Sequence, residues 1–196
     1  MLSLLCFLVP IFFRVKYSKD FIDRLKRGDR GAQHILYDSI SAKMYGVCMR
    51  YSGNSDLAKD ILHDGFVKVF TSVKAYRGEG SFEGWVRKII VNTALEFLRQ
   101  RRNIEEVELN QASFKVVEIA NVEYDIKFFL KIVSELPLQY RTVFNLYAID
   151  EYSHSEIAEM LNITESTSKS NYSRAKAILR DKLEKLVDFK YEEFIR

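Results

Sequence analysis

The segment SHSEIAEMLNITESTSKSNYSRAK, residues 153–176, decides the fold of the C-terminal part of the chain. Ser153 is followed three residues later by Glu156, which is the pattern of a capping box at the start of a helix. Asn162 suits a tight turn, and Thr164 is a good N-cap for a second helix. A short helix, a tight turn and a second helix in this order predict a helix-turn-helix.

The second helix of this pair has two contrasting faces. Its predicted buried stripe consists of Tyr172, Ala175, Leu179, Leu183 and Leu186. Its other face is made of short polar and basic side chains, namely Ser166, Thr167, Lys169, Ser170, Asn171, Arg174 and Lys176. Short side chains let a helix backbone approach DNA closely, and they can bond base edges or phosphates. We predict that this face enters a major groove, against the alternative of an ordinary helical hairpin with a polar exterior.

The composition of the 196-residue chain favours an all-α protein. Two prolines and eight glycines are few, and Lys, Glu, Leu, Ile and Arg dominate, as they do in long helices. The formal net charge is only +3, so the charge of the whole chain does not indicate a nucleic-acid partner. Cys6 and Cys48 are too few and too scattered for a disulfide framework or a zinc site, which favours a reducing compartment.

Four segments of the N-terminal half have apolar residues at helical spacing. The stripes are Phe21, Ile22 and Leu25; Ile35, Leu36, Ile40, Met44 and Val47; Leu62, Phe66, Val69 and Val73; and Val86, Ile90, Ala94 and Phe97. Ser55 is the predicted N-cap of the third helix. That helix has a second, mostly polar and acidic face with Asp60, His63, Asp64 and Val67, for which the simplest interpretation is a solvated side. The histidines of the chain have no metal-binding spacing, so no metal or other cofactor is expected.

A glycine-rich loop, AYRGEGSFEGW at residues 75–85, leads into the fourth helix. Aromatic rings can stack on unpaired bases, and a basic helix face can follow a nucleic-acid backbone. The aromatic, basic and amide residues concerned are Tyr76, Arg77, Phe82, Trp85, Lys88, Asn92, Arg99 and Arg102. This combination indicates a single-strand binding site. The alternative is that Phe82 and Trp85 are core residues that close the loop. Trp85 could also pack in the core by one edge of its ring and stack on a base by the other.

Composition divides the chain into five predicted regions. The predicted regions are an apolar leader at 1–16, an N-terminal helical domain at 17–102, an acidic linker at 103–123, a helix-turn-helix domain at 124–187 and a tail at 188–196. The leader lacks a basic n-region and a cleavage site, and it is short for a membrane span. We expect it to be disordered, loosely docked or an artefact of the assigned start, with a membrane anchor as the alternative.

Taken in order, these segments resemble a bacterial RNA polymerase sigma factor of the extracytoplasmic-function (ECF) class of the sigma-70 family. DLAKDILHDGFVKVF resembles the family's polymerase-binding helix, often written D-x-x-Q-E-x-F. AYRGEGSFEGWVRKIIVNTALEFLRQRR is similar to the stretch that opens and reads the melted promoter element. The segment from Leu136 to Leu183 resembles the domain that reads the upstream element.

The resemblance implies an all-α fold of two small helical domains and a role for each group of residues. Asp60, Ile61, His63, Asp64 and Phe66 would bind a coiled coil of the polymerase's largest subunit. Arg77, Gly78, Ser81, Phe82, Trp85, Lys88, Asn92, Arg99 and Arg102 would bind the melted −10 element. Ser166, Thr167, Lys169, Ser170, Asn171, Arg174 and Lys176 would bind the −35 element. The acidic linker would occupy polymerase channels built for RNA.

The sequence departs from the family pattern at five positions. His63 and Asp64 stand where Gln and Glu are usual, and Gly65 stands where a larger residue is common. Ser166 and Ser168 stand where many members carry Gly and Val. These departures concern the fine geometry of the contacts and leave the class unchanged.

The expected function is therefore that of a promoter-specificity factor without an active site. Its expected partners are core RNA polymerase, promoter DNA in duplex and single-stranded form, and an anti-sigma factor, with no small-molecule substrate. The expected location is the cytoplasm, or the membrane when an anti-sigma factor holds the chain there. A stand-alone helix-turn-helix regulator is the first alternative, and a helical adaptor that binds no nucleic acid is the second.

Overall fold

The computed structural model describes residues 17–105 and 131–195, with side chains for 17–100 and 131–184. Every regular element in these ranges is a helix, so the predicted all-α class is confirmed. The chain divides into two compact units, Met1–Ser113 and Phe114–Arg196. The predicted leader and residues 106–123 of the predicted linker lie outside the described residues. Among the described helices, none is long and apolar enough to cross a membrane.

The described part of the N-terminal unit, residues 17–105, contains four α-helices and one 3₁₀ turn. They are α1 (Lys19–Lys26), α2 (Arg30–Ser52), α3 (Ser55–Ser72), the 3₁₀ turn Val73–Ala75 and α4 (Phe82–Glu105). Helices α2, α3 and α4 pack against one another, and α1 packs against α2. Helix α4 continues to Glu105, three residues into the stretch that we assigned to the linker.

The helices of this unit begin at side-chain caps. The hydroxyl of Ser18 accepts a hydrogen bond from the backbone N–H of Phe21 at the start of α1 (3.1 Å). Asp29 accepts from the N–H of Ala32 at the start of α2 (3.0 Å). The N-cap of α3 is Asn54, whose side-chain oxygen accepts from the N–H groups of Asp56 and Leu57 (2.9 and 3.0 Å), so the prediction of Ser55 is wrong by one residue. Asn54 takes this role because its backbone is extended.

The core of the N-terminal unit is formed by the predicted apolar stripes. The buried members are Leu25, Leu36, Ile40, Met44, Val47, Leu62, Phe66, Val69, Val73, Val86, Ile90 and Ala94. Ile35 was predicted to be buried but is 52% exposed, because it lies beside the stripe and not on it. Phe97 is half-buried. Leu95 is also buried, although it was not part of a predicted stripe.

Gly65 marks a close crossing of α3 and α4. A Cβ at this position would lie well inside van der Waals distance of Ile90 Cδ1, and 3.7 Å from the Cα of the same residue. Ile90 is fully buried, so its side chain has little room to move away. The glycine that departs from the family pattern therefore has a packing reason, which outweighs its low helix propensity.

The C-terminal unit contains three described α-helices and a π-helical turn. Residues 131–134 are helical, and they are followed by α5 (Leu138–Phe144), the π turn Asn145–Ile149, α6 (His154–Leu161) and α7 (Glu165–Ile195). The core cluster of this unit consists of Ile132, Val133, Leu136, Phe144, Ala175 and Leu179. Residues 188–195 of the predicted tail continue α7 and carry no described side chains.

The predicted helix-turn-helix is confirmed in detail. Ser153 and Glu156 form the capping box that begins α6. Asn162 ends that helix in the left-handed conformation, with φ 51°. The hydroxyl of Thr164 accepts a hydrogen bond from the N–H of Thr167 (3.1 Å) at the start of α7. Each local signal in the sequence therefore acts at the predicted residue.

The predicted buried stripe of α7 ends earlier than expected. Ala175 and Leu179 are buried and Tyr172 is half-buried, but Leu183 is 37% exposed. The stripe ends because α7, with 31 residues, is far longer than α5 and α6, with 7 and 8, against which it packs. The predicted burial of Leu183 is therefore wrong, and the side chain of Leu186 lies outside the described part of the chain.

Replacing Gly65 by alanine should destabilise the N-terminal unit. We expect Gly65→Ala to cost about 1–3 kcal/mol, because the methyl group meets Ile90 Cδ1. Ile90→Val removes that atom, so the double variant should be about 1 kcal/mol more stable than the sum of the two single effects. Fluorescence of Trp85, the only tryptophan, reports the unfolding of this unit in urea.

Gly46 supplies the matched control for this cycle. It lies in α2, and a Cβ there would meet nothing within 4 Å. Gly46→Ala should therefore stabilise the unit by up to about 1 kcal/mol through helix propensity alone. A Gly65→Ala variant that gains stability as Gly46→Ala does would contradict the close crossing.

Candidate nucleic-acid and partner interfaces

The first three turns of α7 expose most of the predicted reading face. Ser166, Thr167, Lys169, Ser170, Arg174 and Lys176 are all exposed. Asn171 is only 6% exposed, so its predicted place on this face is wrong. The reason is its helical position, since Asn171 lies three residues after Ser168 and four before Ala175, both of which are fully buried.

The outer surface of α7 is a ridge of small side chains. Ser166, Ser170, Ser173 and Ala177 are exposed and follow one another at intervals of four, three and four residues. Residues at these intervals share one face of a helix, directly opposite the buried stripe. Ser173 was not predicted as a site residue, although its spacing from Ser166 and Ser170 could have indicated it. The ridge leaves the backbone accessible to a ligand as large as a DNA duplex.

Basic side chains line both sides of this ridge. Lys169 forms an ion pair with Glu165 (2.6 Å), and the hydrogen bond between them lowers the pKa of the Glu165 carboxyl. Lys176 lies over the ring of Tyr172, with its Nζ 4.8 Å from the ring centre. On the other side, Arg174 donates a long hydrogen bond to the hydroxyl of Tyr140 (3.4 Å). These contacts place positive charge beside the small ridge, where phosphates of a duplex would lie.

His154 connects the two helices of the helix-turn-helix. Its Nδ1 is 2.9 Å from the hydroxyl of Ser168, which is fully buried in α7. The imidazole also stacks on Tyr147, which the π turn presents, with ring centres 4.1 Å apart. Burial lowers the pKa of His154, and the nearby Lys169 lowers it further. The serine that replaces the family's valine is therefore hydrogen-bonded inside the core, as a buried hydroxyl requires.

The glycine-rich loop is exposed and has a backbone that requires glycine. All five residues from Arg77 to Ser81 are exposed. Gly78 and Gly80 have φ values of 85° and 74°, a region that side chains disfavour. The hydroxyl of Ser81 accepts a hydrogen bond from the N–H of Gly84 (3.0 Å), so this side chain caps α4. The loop thus presents alternating glycines between two fixed ends.

An aromatic cluster of Tyr17, Tyr76, Phe82 and Trp85 supports the loop. Phe82 is 4% exposed and stacks against Trp85, with ring centres 5.7 Å apart. Tyr76 is 6% exposed and contacts both rings, at 5.0 and 5.5 Å. Phe82 is therefore a core residue, and its predicted contact with single-stranded DNA is wrong because its ring is covered. Trp85 is half-buried, so it packs on Phe82 and leaves part of its ring exposed.

Helix α4 continues from the loop with an exposed polar face. Lys88, Asn92 and Arg99 are exposed and lie on one side of the helix, four and seven residues apart. Arg102 is within α4, but its side chain lies outside the described part of the chain. The opposite side of α4 carries the core residues Val86 and Ile90. The loop is therefore followed directly along the chain by Trp85 and these polar side chains of α4.

The acidic face of α3 is only partly as predicted. Asp60, His63 and Asp64 are exposed, but Ile61 and Phe66 are 1% and 3% exposed and belong to the core. Their predicted place on a contact surface is wrong, because their positions on α3 point toward α2 and α4. Val67, the apolar member of the predicted face, is 48% exposed, and Tyr37 of α2, which was not predicted, is 40% exposed. No group that could hold a metal ion occurs among the residues that the structure describes.

Two family profiles match the two units. Sigma-70 region 2 matches residues 36–104, and sigma-70 region 4 matches residues 129–179. The first match contains the acidic face, the loop and α4, and the second contains the helix-turn-helix. The order of the two regions along the chain is the order predicted from the motifs.

Whole-length relatives agree with these profiles. The ECF RNA polymerase sigma factor SigW of Bacillus subtilis is 28% identical over 182 residues, covering 86% of this chain and 97% of the relative. The ECF RNA polymerase sigma-E factor of Haemophilus influenzae is 24% identical over 186 residues, covering 85% and 95%. The sigma factor RpoE of Bartonella quintana, solved with the anti-sigma factor NepR, has a similar fold (TM-score 0.53, 17% identity, 77% of this chain and 96% of that one). The chain belongs to the extracytoplasmic-function class of the sigma-70 family of RNA polymerase sigma factors.

Proposed function

We propose that this protein binds core RNA polymerase and directs it to specific promoters. The helix-turn-helix reads the −35 element as duplex, and the N-terminal unit captures the −10 element as single strand. The observation that carries this proposal is the presence of both kinds of surface on one chain. A duplex reader that acts without polymerase has no need of an exposed glycine loop on an aromatic platform, so this loop argues against a stand-alone regulator.

In the duplex-reading step, α7 approaches the major groove with its small ridge. Serine hydroxyls both donate and accept hydrogen bonds, so Ser166, Ser170 and Ser173 can meet base edges of either kind. Lys169, Lys176 and Arg174, which flank the ridge, neutralise phosphates of the two strands. Phosphate contacts fix the position of the helix, and contacts between the ridge and base edges then discriminate between DNA sequences.

In the single-strand step, the loop at 77–81 receives a base that has left the duplex. The exposed part of the Trp85 ring offers a stacking surface, which contributes about 1–3 kcal/mol per base in such sites. Lys88 and Asn92 lie along α4 at the next positions, where they can hold the backbone of the same strand. Arg99 extends this positive face towards the end of the helix, and Arg102 follows it in the sequence of α4.

The acidic face of α3 is the proposed contact with the coiled coil of the polymerase's largest subunit. Asp60 and Asp64 are one helical turn apart and both exposed, so their charges act on the same partner surface. Val67 and Tyr37 add exposed apolar area, which the carboxylates alone would lack. Such a surface, apolar with an acidic edge, suits a basic amphipathic helix.

The chain supplies binding energy and no chemical step. Sigma factors are non-catalytic initiation factors, and nucleotide addition belongs to the polymerase. The side chains proposed for DNA contact carry hydroxyl, amide, cationic and indole groups, which suit the recognition of DNA. Because it acts with polymerase on the chromosome, the protein works in the cytoplasm, and an anti-sigma factor is a further proposed partner, as for the Bartonella relative.

Reconstituted transcription tests the function directly. Purified chain and bacterial core polymerase should initiate from a subset of fragments in a genomic promoter library, and neither component alone should do so. Mapped start sites should share two sequence elements at a fixed spacing. Binding of duplex DNA by the chain alone, with no effect of added core, would instead support the stand-alone regulator.

Removing the cations beside the ridge should weaken recognition of the −35 element. Lys169→Ala and Arg174→Ala should each reduce promoter affinity of the holoenzyme, and each should lower the slope of log affinity against log salt by about 1. Filter binding at several salt concentrations measures both quantities. Lys131→Ala is the matched control, since Lys131 is exposed in the same unit but not on α7. Unchanged affinity and slope would remove these residues from the interface.

Reversing the acidic face should weaken assembly with core polymerase. Asp60→Lys and Asp64→Lys should each reduce the affinity of the chain for core on the order of 10-fold, because like charges then face the basic partner. Competition against a labelled relative measures the affinity. Asp20→Lys carries the same charge change on α1 and should leave core binding near the wild-type value. Equal effects of all three variants would indicate a general charge effect and no specific surface.

A further inference from the structure

Tyr76 joins the two ends of the exposed loop through its hydroxyl. This hydroxyl donates a hydrogen bond to the backbone carbonyl of Gly80 (3.0 Å), four residues further along the chain. Gly80 is exposed and has a positive φ, as does Gly78. A loop with two such glycines has many accessible conformations when nothing holds it. The bond from Tyr76 removes part of that freedom.

The donor itself is held rigidly. The ring of Tyr76 is buried between Phe82 and Trp85, and its backbone carbonyl accepts a hydrogen bond from Lys26 Nζ of α1 (2.8 Å). The backbone N–H of Tyr76 donates to the carbonyl of Val73 at the end of the 3₁₀ turn (3.1 Å). The hydroxyl therefore occupies a fixed point, from which it can hold the carbonyl of an exposed segment.

The ring and the hydroxyl of Tyr76 have separable roles. The ring fills the aromatic cluster, and a phenylalanine would fill it equally well. The hydroxyl contributes nothing to that packing, since its bond goes to the loop backbone. A hydroxyl used only to fix an exposed loop is expected where the shape of the loop matters for a ligand.

We infer that Tyr76 is a positioning residue for the captured base. Its hydroxyl holds the loop at 77–81 in the shape that receives an unpaired base next to Trp85, before any DNA is bound. The ordering of the loop is then completed on folding and does not reduce the affinity for the single strand. This inference rests on the proposed function, because it assigns a role within the single-strand site.

Tyr76→Phe tests the inference with a matched control. Tyr45→Phe removes another hydroxyl of the same unit, which lies 3.1 Å from the hydroxyl of Ser55 and distant in sequence from the loop. The probe is a fluorescent single-stranded oligonucleotide that carries the −10 element from the non-template strand of a promoter mapped by reconstitution. We expect Tyr76→Phe holoenzyme to bind it about 3- to 10-fold more weakly, and Tyr45→Phe holoenzyme to bind it as the wild type does.

Abasic substitution separates positioning from general stability. A scan of abasic sites through the oligonucleotide identifies the captured base as the position whose removal costs the wild type most. With that base removed, Tyr76→Phe and wild type should bind equally, since the loop then has nothing to receive. Affinity for a duplex fragment with only the −35 element should be unchanged, and thermal unfolding should shift no more than in Tyr45→Phe.

Three results would overturn the inference. Tyr76→Phe could bind the intact oligonucleotide as tightly as wild type, or its loss could persist in full at every abasic site, or Tyr45→Phe could show the same loss. In each case wild-type holoenzyme still binds the oligonucleotide, so the proposed function stands. If wild-type holoenzyme fails to bind any single-stranded −10 probe, the proposed single-strand site fails, and the role of Tyr76 fails with it.

Discussion

The packing of Tyr76, Phe82 and Trp85 at the start of α4 is the interaction on which the N-terminal unit's proposed DNA surface depends. These rings fix the point where the loop ends and the helix begins. They also connect that point to α1, through the edge contact of Phe82 with Tyr17 and the bond from Lys26 to Tyr76. The exposed part of Trp85 and the polar face of α4 are both oriented by this cluster. A loop of five exposed residues could not set these positions by itself.

Small residues impose a second constraint, which appears in both units. In the N-terminal unit Gly65 lets α3 and α4 cross closely, and this crossing positions the helix that carries Lys88 and Asn92. In the C-terminal unit the small side chains of α7 lie outward, where they leave room for the proposed DNA partner. Ser168 faces inward and is small enough for His154 to reach it. Small residues therefore allow close packing where they are buried, and they leave the helix surface accessible where they are exposed.

Much of the fold could be predicted because its signals are local. Helical periodicity identified the core stripes, and the capping box, Asn162 and Thr164 fixed the helix-turn-helix residue by residue. The errors concern which flank of a helix faces the core. Asn171, Ile61 and Phe66 each lie about one position away from residues with the opposite exposure, and only the neighbouring helix decides between them. Ser173 was not predicted, although its spacing of three residues from Ser170 and seven from Ser166 places it on the same face of α7.

A duplex-reading site and a single-strand site on one chain can together favour promoter opening, which neither site could favour sufficiently alone. Opening a promoter separates base pairs whose stacking is worth about 1.4 kcal/mol per step, while stacking of one base on an aromatic ring returns about 1–3 kcal/mol. A single captured base therefore cannot offset the opening of several pairs. When α7 already holds the adjacent duplex, capture becomes intramolecular, and its effective concentration rises to the millimolar range for short connections. Polymerase contributes the remaining contacts, so the preformed shape of the loop matters most at the moment when the first base leaves the stack.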